Sequence, residues 1–314
     1  MLAPIVIGIN SIKLSDRETE LISKINPVGI ILFKRNIESI EQTKSLINNL
    51  KFITQNSNLL IFIDEEGGKV SRTNHLFDES IISAQEIGKT YEKNNAKGLE
   101  LLNQEMQKLI SRLKSLGINS CCMPDCDLFF ADSDQIIGTR AYSDKVETVV
   151  TLAKKCCETL IENKILPVIK HIPGHGRANC DSHLDLPRIK TKQQELNNTD
   201  FKVFSQLQNM PIAMTAHIVY EDIDPLNSAT TSNKLIKFIR NNIGFNNILI
   251  SDDICMKALK GSNYEKISQS FNSGCDIVLH CNGNINEIEE IYHYVIEQDF
   301  SENQILIQKL LTYI

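Results

Sequence analysis

Eight short runs of apolar, mostly β-branched residues recur along the chain, and they constrain its fold more than any other feature. Within each run polar and apolar residues hardly alternate, which is typical of strands buried on both faces of a helix-covered parallel sheet. The runs span residues 5–9, 28–33, 59–64, 118–124, 166–171, 212–217, 248–253 and 276–281. The sequence therefore predicts an α/β protein with eight parallel strands.

The segments between these runs have the apolar spacing of amphipathic helices, most clearly over residues 37–53, 148–162 and 232–242. Eight strand–helix units in 314 residues, with no linker rich in Ser, Gly or Pro, match one (β/α)8 barrel. A doubly wound open sheet is the alternative, but no GxGxxG follows the first strand. We expect a single catalytic TIM-like barrel domain over residues 1–314.

The composition of the chain indicates in which compartment the protein works and which kinds of partner it binds. The nine cysteines form no CxxC pair, which favours reduced thiols in a cytoplasmic protein over a disulfide framework. The N-terminus lacks the features of a signal peptide, and no apolar run is long enough to span a membrane. A net charge of −6 without a Lys/Arg cluster argues against nucleic acid and membrane surfaces. We expect a cytoplasmic monomer acting on a small molecule.

Polar residues stand at the carboxyl ends of the third, fifth, sixth and seventh predicted strands. They are Asp64, the pair Lys170 and His171, His217, and the pair Asp252 and Asp253. All these strand ends meet on one face of a (β/α)8 barrel, the face that carries the active site. The pattern therefore predicts a catalytic site.

Arginine is scarce in this lysine-rich chain, and two arginines stand close to predicted site loops. Arg72 follows Asp64 by eight residues, across two glycines that let the backbone turn, and Arg140 lies in a second loop. Asp64 and Arg72 together offer hydrogen bonds to a polyhydroxylated ligand, and a surface ion pair is the alternative. Arg140 taken alone favours a surface role.

Three of the seven histidines lie within residues 170–183, a segment whose proline and glycines indicate a loop. Asp181 precedes His183 by two residues, a spacing that lets the carboxylate fix one imidazole nitrogen and leaves the other to transfer protons. A metal site built from His171, His175 and His183 is the rival interpretation. A second carboxylate ligand and the HxH of barrel metallohydrolases are missing, so we expect no metal and no cofactor.

Two carboxylates close the seventh strand. Asp252 follows a continuous apolar run, and a strand-end carboxylate facing the barrel mouth can act as a nucleophile or stabilise a cation. Asp253 suits the N-cap of a helix that would begin at Ile254. We assign the chemistry to Asp252 and a structural role to Asp253.

Several strings in the chain, in this order and spacing, resemble glycoside hydrolase family 3, in particular its bacterial cytoplasmic β-N-acetylglucosaminidases (β-hexosaminidases). The resemblance covers nearly the whole chain, and the KHxPGHG and DSH strings are its most specific part. The strings are residues 64–68 (DEEGG) with Arg72, 170–176 (KHIPGHG), 181–183 (DSH), 214–220 (MTAHIVY) and 250–253 (ISDD).

The resemblance implies roles for eight residues. Asp252 matches the nucleophile that forms a covalent glycosyl-enzyme, and His183 matches the general acid/base, with Asp181 as its partner. Residues that bind the N-acetylglucosamine ring are matched by Asp64, Arg72, Arg140, Lys170 and His171. The implied reaction releases N-acetylglucosamine from its β-1,4 linkage to 1,6-anhydro-N-acetylmuramic acid, with or without peptide, in peptidoglycan recycling.

The chain departs from the family in two places. The family's Pro-Val-x-Asp segment is replaced by residues 122–127 (CMPDCD), which leaves a sugar contact from Asp127 open, and Ile172 replaces the commoner Phe. Larger members add a second domain that supplies an acid/base glutamate. A chain of 314 residues has no room for one, so the acid is expected from the loop of His183.

Three alternatives remain open on the sequence alone. The same covalent intermediate could pass its sugar to phosphate, since a neutral histidine base repels an anion less than a glutamate does. The three histidines could instead serve a metal-dependent hydrolase of amide or phosphoester bonds. A catalytically silent sugar-binding barrel is the third, and the intact set of titratable residues argues against it.

Overall fold

A computed structural model of the protein describes residues 1–180, 182 and 185–314. Its centre is a parallel sheet of nine strands in the order β5-β4-β3-β2-β1-β11-β10-β8-β6, with a separate small sheet formed by β7 and β9. The strands are β1 (Ala3–Gly8), β2 (Pro27–Leu32), β3 (Leu60–Ile63), β4 (Ser120–Cys121), β5 (Leu166–Pro167), β6 (Ile169–Ile172), β7 (Arg188–Ile189), β8 (Ile212–Thr215), β9 (Val219–Tyr220), β10 (Ile248–Asp253) and β11 (Ile277–His280).

The two ends of this sheet meet within one run of chain. Only Val168 separates β5, which pairs with β4, from β6, which pairs with β8. A parallel bridge between Asp125 and Lys170 adds to the closure. Counting β5 and β6 as one interrupted strand gives eight positions around the barrel, one for each apolar run in the sequence. The predicted TIM-like α/β barrel is confirmed.

The fourth run differs from its prediction in length. Strand pairing was expected over residues 118–124, but β4 contains only Ser120 and Cys121. The backbone turns immediately afterwards, since the Met123 N–H donates to the Cys121 carbonyl at 2.8 Å. Pro124 then has no N–H to offer to a neighbouring strand. This early turn delivers the segment of Asp125 and Asp127 to the barrel mouth.

Helices cover the outside of the sheet. They are α1 (Asp16–Ile25), α2 (Ile40–Ile53), α3 (Ala84–Lys93), α4 (Asn95–Leu116), α5 (Val146–Glu162), α6 (Gln193–Leu196), α7 (Asp200–Gln206), α8 (Asn233–Phe238), α9 (Asn263–Ser273), α10 (Ile285–Ile296) and α11 (Asn303–Leu311). Helix α2 begins later than the predicted residue 37 because the Ser39 side chain accepts from the Gln42 N–H and caps it there. Helix α8 continues as a π-helical turn, Ile239–Ile243, before Gly244 ends it at φ 86°.

The apolar residues form two layers. Alternate strand residues fill the barrel interior, for example Val6, Phe62 and Leu166, and helix α11 adds Ile307 and Leu310 to this layer. The other layer lies between sheet and helices. No helix in the described part of the chain is long and apolar enough to cross a membrane.

Candidate active site

Side chains from several strand ends line one cavity of about 470 Å³ at the carboxyl end of the barrel. Asp64 follows β3, Lys170 and His171 belong to β6, and Asp252 lies in β10. Of the eight residues predicted for the site, six line this cavity: Asp64, Arg72, Arg140, Lys170, His171 and Asp252. The other two, Asp181 and His183, lie outside the described residues. The predicted residues that can be located therefore converge on one face.

A chain of alternating charges crosses the cavity floor. The Lys170 ammonium lies 2.9 Å from Asp64 Oδ1 and 2.6 Å from Glu66 Oε1. The Arg140 guanidinium meets both Glu66 oxygens at 2.8 Å, and Arg72 Nη2 lies 3.6 Å from Asp64. Two cations thus neutralise Glu66, a site residue that the sequence did not predict. Arg140 lies in the site and not on the surface.

The ion pairs keep these groups charged although they are buried. Burial alone opposes the charged form of Asp64, but Lys170 and then Arg72 outweigh it and hold the pKa of that carboxyl below its ordinary value. The same balance, with Arg140 and Lys170 as partners, lowers the pKa of Glu66, and the two carboxylates raise the pKa of Lys170. All of these groups are charged at neutral pH, which makes the floor a fixed set of hydrogen-bond donors and acceptors.

Two glycines in left-handed conformations bring Arg72 back to Asp64. Gly67 has φ 84° and Gly68 φ 54°, and a Cβ on Gly67 would lie 2.4 Å from the Ile82 carbonyl oxygen. The buried carboxylate of Glu65 then fixes the returning chain by accepting from the Arg72 N–H at 2.7 Å. Among the three acidic residues of residues 64–66, Glu65 therefore organises the loop while its neighbours face the cavity.

Asp127 fixes the segment that contains His171 and His175. Its carboxylate accepts from the backbone N–H of His175 at 2.5 Å and lies 2.7 Å from Nδ1 of His171, and it is only 1% exposed. The sequence leaves a sugar contact from Asp127 open, and in the structure the carboxylate is used by two histidines. Sequence reasoning did not foresee that task.

Burial also sets the protonation of this segment. It lowers the pKa of His171 to about 4 and that of His175 to about 3, so both rings are neutral at pH 7. Because Asp127 in its ionised form only accepts, Nδ1 of His171 carries the proton and Nε2 is left as an acceptor. Burial raises the pKa of Asp125 and of Asp127 to about 7, and the nearby charge of Asp127 contributes to the shift of Asp125.

Both carboxylates at the end of β10, Asp252 and Asp253, line the cavity. Asp253 Oδ1 accepts from the backbone N–H groups of Cys255 and Cys281, both at 3.0 Å, and so ties two strand ends together. The helix expected to begin at Ile254 does not form: the described chain makes turns there, and α9 begins only at Asn263.

His217, another predicted strand-end residue, does not line the cavity. Its Nδ1 lies 2.7 Å from the Thr230 hydroxyl and its Nε2 lies 3.0 Å from the Asp253 carbonyl oxygen. The ring is fully buried, and burial lowers its pKa. His217 therefore supports the end of β10 from the side.

The loop after His171 is packed tightly against its neighbours. A Cβ on Gly176 would lie 2.0 Å from the Leu128 carbonyl oxygen, so only glycine fits there. Arg177 lies 4.2 Å from the Phe130 ring centroid and 2.8 Å from Asp200. Further along, the Ser182 hydroxyl lies 3.1 Å from His175 Nε2 and lines the cavity. The residue between Asp181 and His183 is thus at the site.

The proposed metal site of His171, His175 and His183 cannot be assembled within the described residues, because His183 is outside them. The described residues offer Asp125, Asp127 and His171 instead, whose ligand atoms lie within 4.8 Å of one another. The Arg140 guanidinium stands 3.3 Å from Asp125, however, and Asp127 is already bonded to His171. A cation there would have to displace both partners.

A closed parallel barrel with a charged cavity at the carboxyl ends of its strands defines the class of (β/α)8-barrel enzymes. Within that class the chain belongs to glycosyl hydrolase family 3: the model of the family's N-terminal domain matches residues 4–310. The chain is thus a glycoside hydrolase, and the resemblance found in its sequence is confirmed.

Individual relatives agree with this family. A β-hexosaminidase of Thioalkalivibrio sulfidiphilus is 32% identical over 285 residues, which cover 90% of this chain and 81% of the relative. The crystal structure of native NagZ from Neisseria gonorrhoeae superposes with a TM-score of 0.88 at 29% identity, covering 99% of this chain and 89% of that one. A family 3 β-N-acetylglucosaminidase from Paenibacillus gives a TM-score of 0.86 at 25% identity; the match covers 99% of this chain and 60% of the longer Paenibacillus chain.

Proposed function

We propose that the protein is a retaining exo-β-N-acetylglucosaminidase that releases N-acetylglucosamine through a covalent intermediate on Asp252. The observation that carries the proposal is the position of Asp252 in the same cavity as Asp64, Lys170 and His171. A carboxylate in that position has neighbours that can hold sugar hydroxyls, which supports a nucleophilic role. The names of the Thioalkalivibrio and Paenibacillus relatives, a β-hexosaminidase and a β-N-acetylglucosaminidase, support the choice of sugar.

The cavity floor suits a polyhydroxylated ring. The Asp64 carboxylate accepts from sugar hydroxyls, while the Lys170 ammonium and the Arg72 guanidinium donate to them. Because these charges are paired with one another, they need little rearrangement when water leaves and the sugar arrives. His171 adds a neutral acceptor at Nε2, fixed by Asp127. The cavity volume of about 470 Å³ lies in the range of small-ligand sites.

In the proposed first step, a carboxylate oxygen of Asp252 attacks the anomeric carbon and the glycosidic C–O bond breaks. The leaving oxygen takes a proton from His183, whose charge Asp181 would stabilise. In the second step water gives a proton back to His183 and its oxygen displaces Asp252, which restores both groups and the β configuration. The assignment of His183 and Asp181 comes from the sequence.

A histidine acid departs from the two-carboxylate arrangement of most retaining glycosidases. The position of Ser182 supports it, since the residue between Asp181 and His183 bonds to His175 and lines the cavity. This position of Ser182 supports an acid that the barrel itself supplies. We propose that one catalytic domain performs the whole reaction.

The proposed physiological substrate is N-acetylglucosamine β-1,4-linked to 1,6-anhydro-N-acetylmuramic acid, with or without its peptide. This choice rests on the sequence resemblance to bacterial β-N-acetylglucosaminidases, and it places the enzyme in peptidoglycan recycling. The nine cysteines carry no disulfide in the described part of the chain, which suits the proposed cytoplasmic location of a monomeric enzyme.

Two chromogenic glycosides test the activity. We expect turnover of 4-nitrophenyl N-acetyl-β-glucosaminide, and much weaker turnover of 4-nitrophenyl β-glucoside, which lacks the acetamido group. Absence of turnover with the first compound, or preference for the second, would contradict the proposal. Product analysis in phosphate buffer separates hydrolysis from transfer: free N-acetylglucosamine is expected, and N-acetylglucosamine 1-phosphate would make the enzyme a phosphorylase.

A further inference from the structure

A cysteine, a histidine and a glutamate come together behind the barrel wall, outside the proposed active site. Cys255 follows β10, His280 ends β11, and Glu287 lies in the first turn of α10. One potential ligand atom from each residue lies within 4.8 Å of the others. Nothing in the proposed glycosidase reaction uses these three side chains.

Strand alternation separates this cluster from the cavity. Leu279 and Cys281 line the cavity, whereas His280 between them points to the opposite side of β11, under the helices. His280 is fully buried, and its Nδ1 has no hydrogen-bond partner within the described residues. A buried polar atom without a partner costs roughly 1–3 kcal/mol, so the fold retains an unsatisfied nitrogen in this cluster.

The carboxylate of the cluster is oriented by its neighbours. Glu287 Oε2 lies 2.9 Å from His280 Nε2 and accepts from the side-chain amides of Asn282 at 2.7 Å and Asn263 at 3.0 Å. These three bonds all use the same oxygen, which leaves Oε1 for another partner. About a quarter of the Glu287 side chain is exposed, so solutes can reach it.

The cysteine is also held in place. The backbone N–H of Cys255 donates to Asp253 Oδ1 at 3.0 Å, and the same oxygen accepts from the Cys281 N–H. Cys255 is one of two cysteines that are not fully buried; the other is Cys180. The residue is thus partly exposed, and its backbone is fixed beside the end of β11.

We propose that Cys255, His280 and Glu287 form a site for a zinc ion. A thiolate, an imidazole and a carboxylate form a donor set that suits Zn²⁺ and not Mg²⁺ or Ca²⁺, which take oxygen ligands. Tetrahedral zinc with bonds of about 2.0–2.3 Å places its ligand atoms about 3.3–3.8 Å apart. The cluster needs only small movements of the two partly exposed side chains to reach that spacing, and a water molecule completes the fourth position.

A bound ion would connect three elements at one point. It would tie the turn that follows Asp252 and Asp253 to the end of β11 and to the start of α10. Such an ion would support the wall of the barrel beside the cavity. Zinc that binds the folded chain and not the unfolded one raises its melting temperature, and the rise continues with the logarithm of the free zinc concentration after the site is full.

Cobalt(II) serves as the spectroscopic probe, because its bond to a thiolate gives a charge-transfer band in the near ultraviolet. The full-length protein, freed of metal by chelation, is titrated with Co²⁺ and then with Zn²⁺. We expect one Co²⁺ per chain with this band, and its loss when Zn²⁺ is added. A protein that shows no thiolate band at saturating Co²⁺ would overturn the proposal.

Matched variants locate the ion. Cys255→Ser should abolish the band, while Cys180→Ser, which changes the other partly exposed cysteine, should keep it. A band that survives Cys255→Ser, or one lost in Cys180→Ser, would place the ion elsewhere and refute the site. If Cys255→Ser fails to fold, Glu287→Gln provides the test: the amide can still accept from His280, yet Co²⁺ affinity should fall at least ~10-fold. Unchanged affinity would contradict Glu287 as a ligand.

Discussion

Asp127→Asn tests how the barrel prepares His171 for its proposed role. The substitution keeps the size of the side chain and one carbonyl oxygen, which can still accept from the His175 N–H that now lies at 2.5 Å. If that oxygen keeps the His175 N–H, the new NH2 group takes the place of the second carboxylate oxygen, which lies 2.7 Å from Nδ1 of His171. With the NH2 group there, Nδ1 must become the acceptor, and the ring proton moves to Nε2.

The size of the effect follows from that exchange. His171 is neutral at pH 7 because burial lowers its pKa to about 4, so the ring has one proton to place. Nε2 then donates where it had accepted, so its hydrogen bond with the substrate is lost. Losing one hydrogen bond in a buried site with charged groups costs about 1.5–3 kcal/mol. At 1.36 kcal/mol per factor of ten, kcat/KM should fall ~10–150-fold.

The assay measures kcat/KM with 4-nitrophenyl N-acetyl-β-glucosaminide, beside nitrogen NMR of the His171 ring to report its tautomer. Asp125→Asn is the matched control, because it removes a carboxylate from the same buried pair without touching His171. We expect its loss of kcat/KM to be at least ~10-fold smaller. Equal losses in both variants, or an Asp127→Asn enzyme with an unchanged tautomer and nearly full activity, would refute the reasoning.

Two further predictions concern stability. Lys170→Met removes the cation shared by Asp64 and Glu66 and should lower the free energy of unfolding by ~3–5 kcal/mol in urea titrations. The control Lys69→Met, at a more exposed lysine of the cavity rim, should change the free energy of unfolding by under ~0.5 kcal/mol. Similar effects of the two substitutions would argue against the pairing of Lys170 with Asp64 and Glu66. Because burial lowers the pKa of His175 to about 3, the unfolded chain binds its proton first as the pH falls below about 6.5, and stability is lost. Relative to His175→Gln, the wild-type protein should lose ~1.4 kcal/mol per pH unit between pH 6 and 4.5, and a constant difference would contradict a buried neutral ring.

The elements that could be predicted from the sequence are those that depend on local pattern. Each apolar run became a strand, and residues at strand ends, such as Asp64, Lys170 and Asp252, reached the same cavity because parallel strands end on one face. Periodicity alone identifies such positions, since burial on both faces leaves a continuous apolar run that stops at the barrel mouth.

Other site residues depend on how loops turn, which the linear pattern does not contain. Glu66 directly precedes the left-handed Gly67 and Gly68, and its partners Lys170 and Arg140 come from other segments of the chain. Asp127 reaches His171 because the chain turns after two residues of β4 rather than continuing as a strand. The glycine pair and Pro124 are the signals that mark these turns, but their contacts become apparent only in three dimensions.

Direct observation of the covalent intermediate tests the central proposal. The enzyme is mixed with 4-nitrophenyl N-acetyl-β-glucosaminide, quenched in acid at short times, digested with pepsin and analysed by tandem mass spectrometry, with Asp252→Asn as the control. The account predicts one added N-acetylglucosaminyl group on Asp252 in the wild-type enzyme, none in the variant, and β-N-acetylglucosamine as the first product by NMR. An adduct on Asp253, or α-N-acetylglucosamine as the first product, would contradict it.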